Sequence, residues 1–229
     1  MREVRIKRDY LTHAEGSALI EQGNTKVICS VSIEEKVPSF LRGGGTGWLT
    51  AEYGMLPRSA QKRIPRELTV GTVKGRIYEI QRMIGRSLRA IIDLGQIGER
   101  TIQIDCDVIE ADGGTRTASI TGAWVALYDA LSKMRKERII QSDPLLDQLA
   151  AISVGIINNT PVLDLCYEED SKAQVDMNIV MVPSGDIVEI QGTAEEKPFS
   201  QTLMMEMLRL AKDGISQLAV IQRKALGLE

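Results

Sequence analysis

The residues best suited to chemistry lie in one short turn, Asp112-Gly113-Gly114-Thr115-Arg116-Thr117. Residues 102–108 before it alternate as in a strand, and small or apolar side chains recur after it with a helical period. A helix N-terminus behind glycines offers free N–H groups and the positive end of the helix dipole, and Arg116 adds a planar cation. Without Arg116, the Gly-Gly-Thr motif would be explained best by a tight turn with a threonine N-cap. Arg116 within the turn favours an anion site.

A pair of carboxylates forms a second candidate group. Asp170 ends a run of acids that begins at Glu168, and Asp176 lies in a strand-like run, on the face opposite the predicted core. Carboxylates without Cys or His partners suit Mg²⁺, which prefers oxygen ligands and keeps several waters. An ordinary solvated strand face is the competing interpretation. Glu168 and Glu169 are alternatives to Asp170 as metal ligands.

Cationic side chains are concentrated in one segment, although the chain as a whole carries a net charge of −3. Residues 58–76 include Arg58, Lys62, Arg63, Arg66, Lys74 and Arg76. Prolines and glycines in this segment argue against a continuous helix, so a solvated loop and a polyanion contact both remain open. Arg42, followed by three glycines, belongs either to a flexible loop or to an RNA contact.

The elements that would position these groups are predicted from periodicity. Arg76 begins an amphipathic helix over residues 76–94. A short helical piece is expected from Ser142, and a closing helix over 199–228 has Gly214 as a point of division. The predicted strands cover residues 1–10, 17–21, 25–33, 49–55, 102–108, 151–157, 174–182 and 187–191, with hairpins at 17–33 and 174–191.

The composition narrows the class of protein. A chain of 229 residues suits one large domain or two fused lobes, and its 43% hydrophobic and 4% aromatic residues predict an aliphatic core. Cys29, Cys106 and Cys166 lie in strand-like runs far apart, as expected for reduced thiols in a cytoplasmic protein. His13 is the only histidine, which argues against Ser-His-Asp and Cys-His mechanisms. No long uncharged apolar segment suggests a membrane span.

Taken together, these motifs resemble the bacterial ribonuclease PH family of phosphorolytic exoribonucleases, which trim the 3′ ends of tRNA. The resemblance runs through nearly the whole chain, in segments that follow the family order. These segments are 23–58, 75–90, 104–123, 150–156, 163–171, 175–181 and 189–196. Polynucleotide phosphorylase and the catalytic exosome subunit belong to the same superfamily but resemble the chain less.

The resemblance implies a fold and a set of sites. The fold is α+β, with two βαβα-type lobes in one domain over residues 1–229, an N-terminal lobe of about 1–140 and a C-terminal lobe of about 141–229, and mixed sheets with packed helices. The family's phosphate site corresponds to Arg76, Gly114, Thr115 and Arg116, and its acidic pair to Asp170 and Asp176. The loop that grips the tRNA acceptor stem corresponds to Arg58, Lys62, Arg63 and Arg66.

The implied reaction is attack of inorganic phosphate on the last phosphodiester of an RNA 3′ end, with release of a nucleoside diphosphate. Asp176 would either hold Mg²⁺ or protonate the leaving oxygen. The implied partners are tRNA precursors and other RNA 3′ ends, and the implied assembly is a hexameric ring built as a trimer of dimers. The chain departs from the family at its start, where Glu3 stands in place of the usual proline and no Arg-Pro-Asp-Gly-Arg segment precedes it.

Three other interpretations are weaker. A catalytically inactive RNA-binding ring subunit would be favoured by loss of Arg116 or Asp176, and both are present. A metabolite phosphotransferase would be expected to carry a nucleotide fingerprint, and neither G-x-x-x-x-G-K-[ST] nor G-x-G-x-x-G occurs. A two-metal hydrolytic nuclease would need more clustered acids than Asp170 and Asp176.

Overall fold

A computed structural model describes residues 1–66, 75–195 and 197–228, so Lys74 lies outside the described residues. In the described part of the chain the elements are β1 (Val4–Arg8), β2 (Gly16–Gln22), β3 (Thr25–Glu34), β4 (Trp48–Met55), α1 (Gly75–Arg89), β5 (Thr101–Glu110), α2 (Thr115–Lys136), β6 (Ala150–Ile157), β7 (Thr160–Leu163), α3 (Tyr167–Asp170), β8 (Val175–Met181), β9 (Ile187–Ala194) and α4 (Gln201–Leu226). Single 3₁₀ turns occur at Ser39–Leu41 and Leu94–Gln96.

The first lobe is built on a five-stranded sheet in the order β1-β2-β3-β5-β4. All pairings are antiparallel except that of β4 with β5, which is parallel, so the sheet is mixed as predicted. Alternation along β3 and β5 sends one set of side chains, such as Val27, Cys29 and Ile104, into the core. Helices α1 and α2 complete this lobe.

The second lobe is built on an antiparallel four-stranded sheet in the order β7-β6-β8-β9. Ile152, Met177 and Ile179 on one face pack with Met207 and other apolar side chains of α4 in a separate core cluster. The opposite face turns towards the first lobe, because Ala151, Val180 and Val182 belong to the core cluster of that lobe.

Helix α2 lies between the two sheets. Its side chains are buried on almost every side between Thr117 and Leu131, which explains why the sequence there has no polar stripe. Gly122 permits this packing, because a Cβ at that position would lie 2.8 Å from Cγ2 of Ile20 and 2.9 Å from Sγ of Cys29. The start of α2 therefore has a fixed position between the lobes.

Several expectations are confirmed and several are wrong. Both predicted hairpins form, as β2–β3 and β8–β9. The closing helix runs unbroken through Gly214, since a Cβ there would lie 2.6 Å from Cδ1 of Ile152 and the glycine serves close packing. The helix predicted for residues 76–94 ends at Arg89.

The remaining corrections concern two short segments. No helix begins at Ser142, because the main chain there pairs with residues after α1: the Asp93 N–H donates to the Pro144 carbonyl, and Leu145 bridges to Ile92. Cys166 is the residue before α3 instead of a strand residue.

No helix among the described residues is long and apolar enough to cross a membrane.

Candidate active site between the two lobes

The glycine turn forms the N-terminus of α2 as the sequence predicts. Gly113 and Gly114 adopt left-handed φ values of 77° and 64°, and Gly114 is the N-cap residue. The threonine N-cap interpretation is wrong: no side chain in the described part of the chain caps this end, and the Thr117 hydroxyl donates to the Gly114 carbonyl instead. The first N–H groups of α2 are therefore available to an anion.

The second lobe packs directly against this turn. A Cβ at Gly113 would lie 2.5 Å from the Leu165 carbonyl oxygen and 2.9 Å from the Tyr167 nitrogen, so only glycine fits at the point where α3 begins. The Tyr167 N–H donates to Oδ1 of Asp112 at 3.2 Å. These contacts place α3, and with it Asp170, beside the start of α2.

A buried ion pair supports the turn from behind. Arg2 donates from Nη1 to the Asp112 carbonyl at 2.6 Å and from Nη2 to Oδ1 of Asp164, also at 2.6 Å. Asp164 is 2% exposed and also accepts from Nε2 of Gln22. Because one carboxylate is bonded to both β2 and the N-terminal segment, the loop that leads into α3 is held against the first lobe.

Asp176 occupies the face of the second sheet that turns towards the first lobe. It pairs with Gly155 on β6 and Thr193 on β9, and Ser153 and Asn178 on the same face are only 4% and 5% exposed. The prediction that Asp176 lies opposite the core is correct for the second lobe alone. The interpretation as a solvated strand face is wrong, because α2 covers this face.

The electrostatic surroundings of Asp176 come from both lobes. Burial raises the pKa of Asp176 to about 6; nearby Asp170 and Glu195 act in the same direction, whereas Arg116 and Arg76 lower it. The charges of Arg116, Arg76 and Asp170, all of them predicted site residues, therefore act on this one carboxylate. A carboxylate pKa raised mainly by burial is common at functional sites.

The structure distinguishes Asp170 from the two acids beside it. Glu168 is paired with Lys172 at 2.9 Å on the surface, and Oε2 of Glu169 accepts from the Cys166 N–H at the start of α3. Asp170 is the residue of the three whose charge acts on Asp176.

The carboxylates of Asp170 and Asp176 are the candidate ligands for Mg²⁺. No group of three or more His, Cys, Asp or Glu residues in the described ranges could hold a metal ion. The oxygens of Asp170 and Asp176 still fit Mg²⁺, which commonly takes one or two carboxylates and completes its shell with water and substrate phosphates.

Arg116 is held by side chains from two other elements. Its Nη1 donates to Oε1 of Gln191 on β9 at 2.6 Å and to Oε1 of Glu79 on α1 at 3.3 Å. Nε2 of Gln191 donates to the same oxygen of Glu79. Each of the three side chains therefore contacts the other two.

Arg76 and Thr115 lie at the same junction. Arg76 is the second residue of α1 and is exposed, and its charge acts on both Asp176 and Tyr53. The Tyr53 hydroxyl, on β4, lies 2.9 Å from Oγ1 of Thr115. Burial raises the pKa of Tyr53, although the hydrogen bond to Thr115 and the charges of Arg76 and Arg116 oppose the rise. The four predicted phosphate ligands thus converge.

The basic segment starts next to the glycine turn. Arg58, Lys62, Arg63 and Arg66 are all exposed, and within the described ranges none of them forms a salt bridge. The loop is anchored where the Ala111 N–H donates to the Ser59 carbonyl. An open cleft of about 550 Å³ lies between this loop and Asp112.

Arg42 is not brought to this site. It lies before β4, at the end of the first sheet where Trp48 pairs with Thr101, whereas the glycine turn follows the other end of β5. Ten residues of strand separate the two ends, about 30 Å at roughly 3.3 Å per residue. Any contact of Arg42 with RNA would be remote from Asp176 in the same chain.

Sequence reasoning missed five residues of the site: Glu79, Gln191, Tyr53, Glu195 and Arg2. Glu79 was detectable in principle, since it lies one helical turn after Arg76. Gln191 and Glu195 fall within the family-like segment 189–196, and Tyr53 falls within 23–58. Arg2 carried no such signal.

Comparison with known proteins agrees with this architecture. Rice (Oryza sativa) Rrp46 superposes with a TM-score of 0.79 at 17% identity, over 99% of this chain and 95% of that one. An Archaeoglobus fulgidus exosome with RNA bound to the active site superposes with a TM-score of 0.79 at 20% sequence identity, over 95% of this chain and 87% of that one. An archaeal exosome core superposes with a TM-score of 0.73 at 19% sequence identity, over 98% of this chain and 87% of that one.

The family comparison is more direct. Residues 1–132 match domain 1 of the 3′ exoribonuclease family, and residues 147–214 match its domain 2. The two matched regions correspond to the two sheets whose junction carries Arg116 and Asp176. The chain therefore belongs to the RNase PH-type 3′ exoribonuclease family.

Proposed function

We propose that this protein is a phosphate-dependent 3′-to-5′ exoribonuclease like bacterial ribonuclease PH, which trims the 3′ ends of tRNA precursors and releases nucleoside diphosphates. The observation that carries the proposal is the convergence of cations and carboxylates from both lobes at the start of α2. Arg116 and Arg76 come from the first lobe, and Asp170 and Asp176 from the second.

The start of α2 supplies what inorganic phosphate needs. The uncapped N–H groups after Gly114 point along the helix axis, the Thr115 hydroxyl adds a donor, and Arg116 and Arg76 supply positive charge. A phosphate held there would meet the last phosphodiester of an RNA strand. The main obstacle to the reaction is repulsion between two anionic phosphates, which the arginines offset.

The proposed reaction needs no histidine as a base, because the phosphate itself carries the proton that the leaving oxygen takes up. Monohydrogen phosphate attacks the phosphorus, the bond to the 3′ oxygen breaks, and the proton of the phosphate ends on that oxygen. Asp176, with a pKa of about 6, is suited to pass this proton on at neutral pH. Alternatively Asp170 and Asp176 hold Mg²⁺, which would neutralise charge on the phosphates.

Further features fit the same function. The exposed side chains of Arg58, Lys62, Arg63 and Arg66, which form no salt bridge with any described residue, would follow an RNA backbone without reading bases, which suits an enzyme acting on many tRNAs. Exchange between similar phosphate bonds is nearly balanced, so the reaction should also run backwards from nucleoside diphosphates. A cytoplasmic hexameric ring, built as a trimer of dimers, is part of the proposal by resemblance to the family.

The test is to incubate the protein with a 3′-extended tRNA and Mg²⁺, with and without inorganic phosphate, and to identify the released nucleotide. Phosphate-dependent release of nucleoside diphosphates is expected. Release of monophosphates without phosphate would mean hydrolysis and would overturn the proposal. Binding of the tRNA without any release would indicate an RNA-binding ring subunit.

A further inference from the structure

We infer that Gln191 and Glu79 are positioning residues that fix the guanidinium of Arg116 for phosphate. This inference rests on the proposed function. It concerns the three mutually bonded side chains Arg116, Gln191 and Glu79, which come from α2, β9 and α1.

The donors and acceptors of Arg116 and Glu79 explain why an amide suits position 191. A guanidinium can only donate and a carboxylate can only accept, so a group that links the two must accept on one side and donate on the other. The Gln191 side chain does both: its oxygen faces Arg116 and its nitrogen faces Glu79. A glutamate at position 191 would place a second carboxylate against Glu79 and would add a second negative charge beside the cation that phosphate needs.

The remaining donors of Arg116 are left for a ligand. Both contacts use Nη1, and within the described residues neither Nε nor Nη2 of Arg116 donates a hydrogen bond. The side chain is only 16% exposed, so its orientation is restricted before any substrate arrives. A guanidinium held in one orientation, whose Nε and Nη2 edge donates to no described residue, suits bidentate binding of a phosphate.

The same contacts couple the two arginines. Arg76 and Glu79 lie one turn apart on α1, so a shift of this helix would move Arg76 and the support of Arg116 together. A second tie between α1 and β9, from Arg86 to Glu189, lies further along the helix and involves no predicted phosphate ligand. This second tie provides a matched control.

The experiment compares wild type, Gln191→Leu and Glu189→Gln. Nucleoside diphosphate release is measured while phosphate is varied at saturating RNA, and then while RNA is varied at saturating phosphate. Gln191→Leu should lower kcat/KM for phosphate about 10- to 100-fold, because a misplaced binding group costs this much. Its KM for RNA should stay within about twofold, and Glu189→Gln should match wild type in both.

Direct binding separates this inference from the proposed function. Inorganic phosphate is titrated into each protein and followed by ³¹P NMR, with thermal unfolding as the check on folding. Weaker phosphate binding by Gln191→Leu alone supports the inference, even if wild type releases no nucleotide and the proposed function fails. Equal phosphate parameters in Gln191→Leu and wild type, equal losses in both variants, or no phosphate binding by wild type would each overturn it.

Discussion

Replacing Asp176 by asparagine should make the protein more stable at neutral pH. The pKa of Asp176 is raised from its usual 3.8 to about 6, chiefly because the ionised carboxylate is buried beside Asp170 and Glu195. The folded state therefore binds a proton that the unfolded state has released. Between these two pKa values the stability contributed by Asp176 falls as pH rises, and above about 7 the loss is complete.

The size of the effect follows from the shift. A difference of roughly two pKa units corresponds to about 3 kcal/mol at most, at about 1.4 kcal/mol per unit. Because Asp176 is only partly buried, solvent screening reduces the expected gain to about 1–2 kcal/mol. An asparagine has nearly the same shape and no charge to bury, so it should recover this amount while abolishing nucleotide release.

The assay is chemical unfolding of wild type and Asp176→Asn between pH 4 and 8. The stability difference should be small near pH 4, should grow through pH 6 and should level off above pH 7. Asp213→Asn, at an exposed position of α4, is the matched control and should show no such growth. A variant that is less stable than wild type at pH 8 would refute the reasoning, because desolvation would then not dominate at Asp176.

Magnesium extends the same measurement to the role of the carboxylate. If Asp176 is a metal ligand, Mg²⁺ should stabilise wild type at pH 8 and narrow its difference from Asp176→Asn, by preferential binding to the folded state. If Asp176 only transfers a proton, the difference should be the same with and without Mg²⁺.

Three further predictions concern the turn and the loop. Arg116→Ala should lower kcat/KM for phosphorolysis by about 10²–10³, roughly 3–4 kcal/mol, as for loss of one charge-stabilising donor; unchanged rates would contradict the assignment. Gly113→Ala should cost about 2–3 kcal/mol of unfolding free energy through backbone strain and the contact with the Leu165 carbonyl. Gly43→Ala, which also has positive φ but open space around it, should cost clearly less by the same denaturant titration. Replacing Lys62 and Arg63 by alanine should reduce the slope of log K for RNA against log salt by about 1 each in a filter-binding assay; an unchanged slope would place the RNA elsewhere.

Much of the fold could be predicted from local pattern. The alternation of apolar residues gives β3 and β5, and two glycines before a small-residue helix give the turn at the start of α2, because these features depend on neighbours in sequence. Prediction was weaker where polar residues continue a strand: β9 extends through Gly192 and Thr193 to Ala194, past the predicted end at Gln191.

The candidate site was predictable in its charged residues and not in its supports. Arg116 and Asp176 carry chemistry in their residue types, whereas Gln191 acquires a role only because β9 approaches α1 and α2. The covered face of Asp176 was missed for a similar reason, since period-2 alternation shows that a face is polar but not what packs against it. The absence of a polar stripe in α2 was the available signal, because a helix buried on all sides must have a neighbour on each.

The position of α2 between the two sheets also bears on how the chain folds during synthesis. When only the first 140 residues or so have left the ribosome, the first sheet can cover one side of α2 while the side that later meets Ala151 and Val180 is still exposed. Such a nascent intermediate would display a strip of apolar surface that chaperones recognise, and it would lack Asp170 and Asp176 altogether. The proposed nuclease activity would therefore arise only when the second sheet has closed over α2, in the same step that removes the aggregation risk.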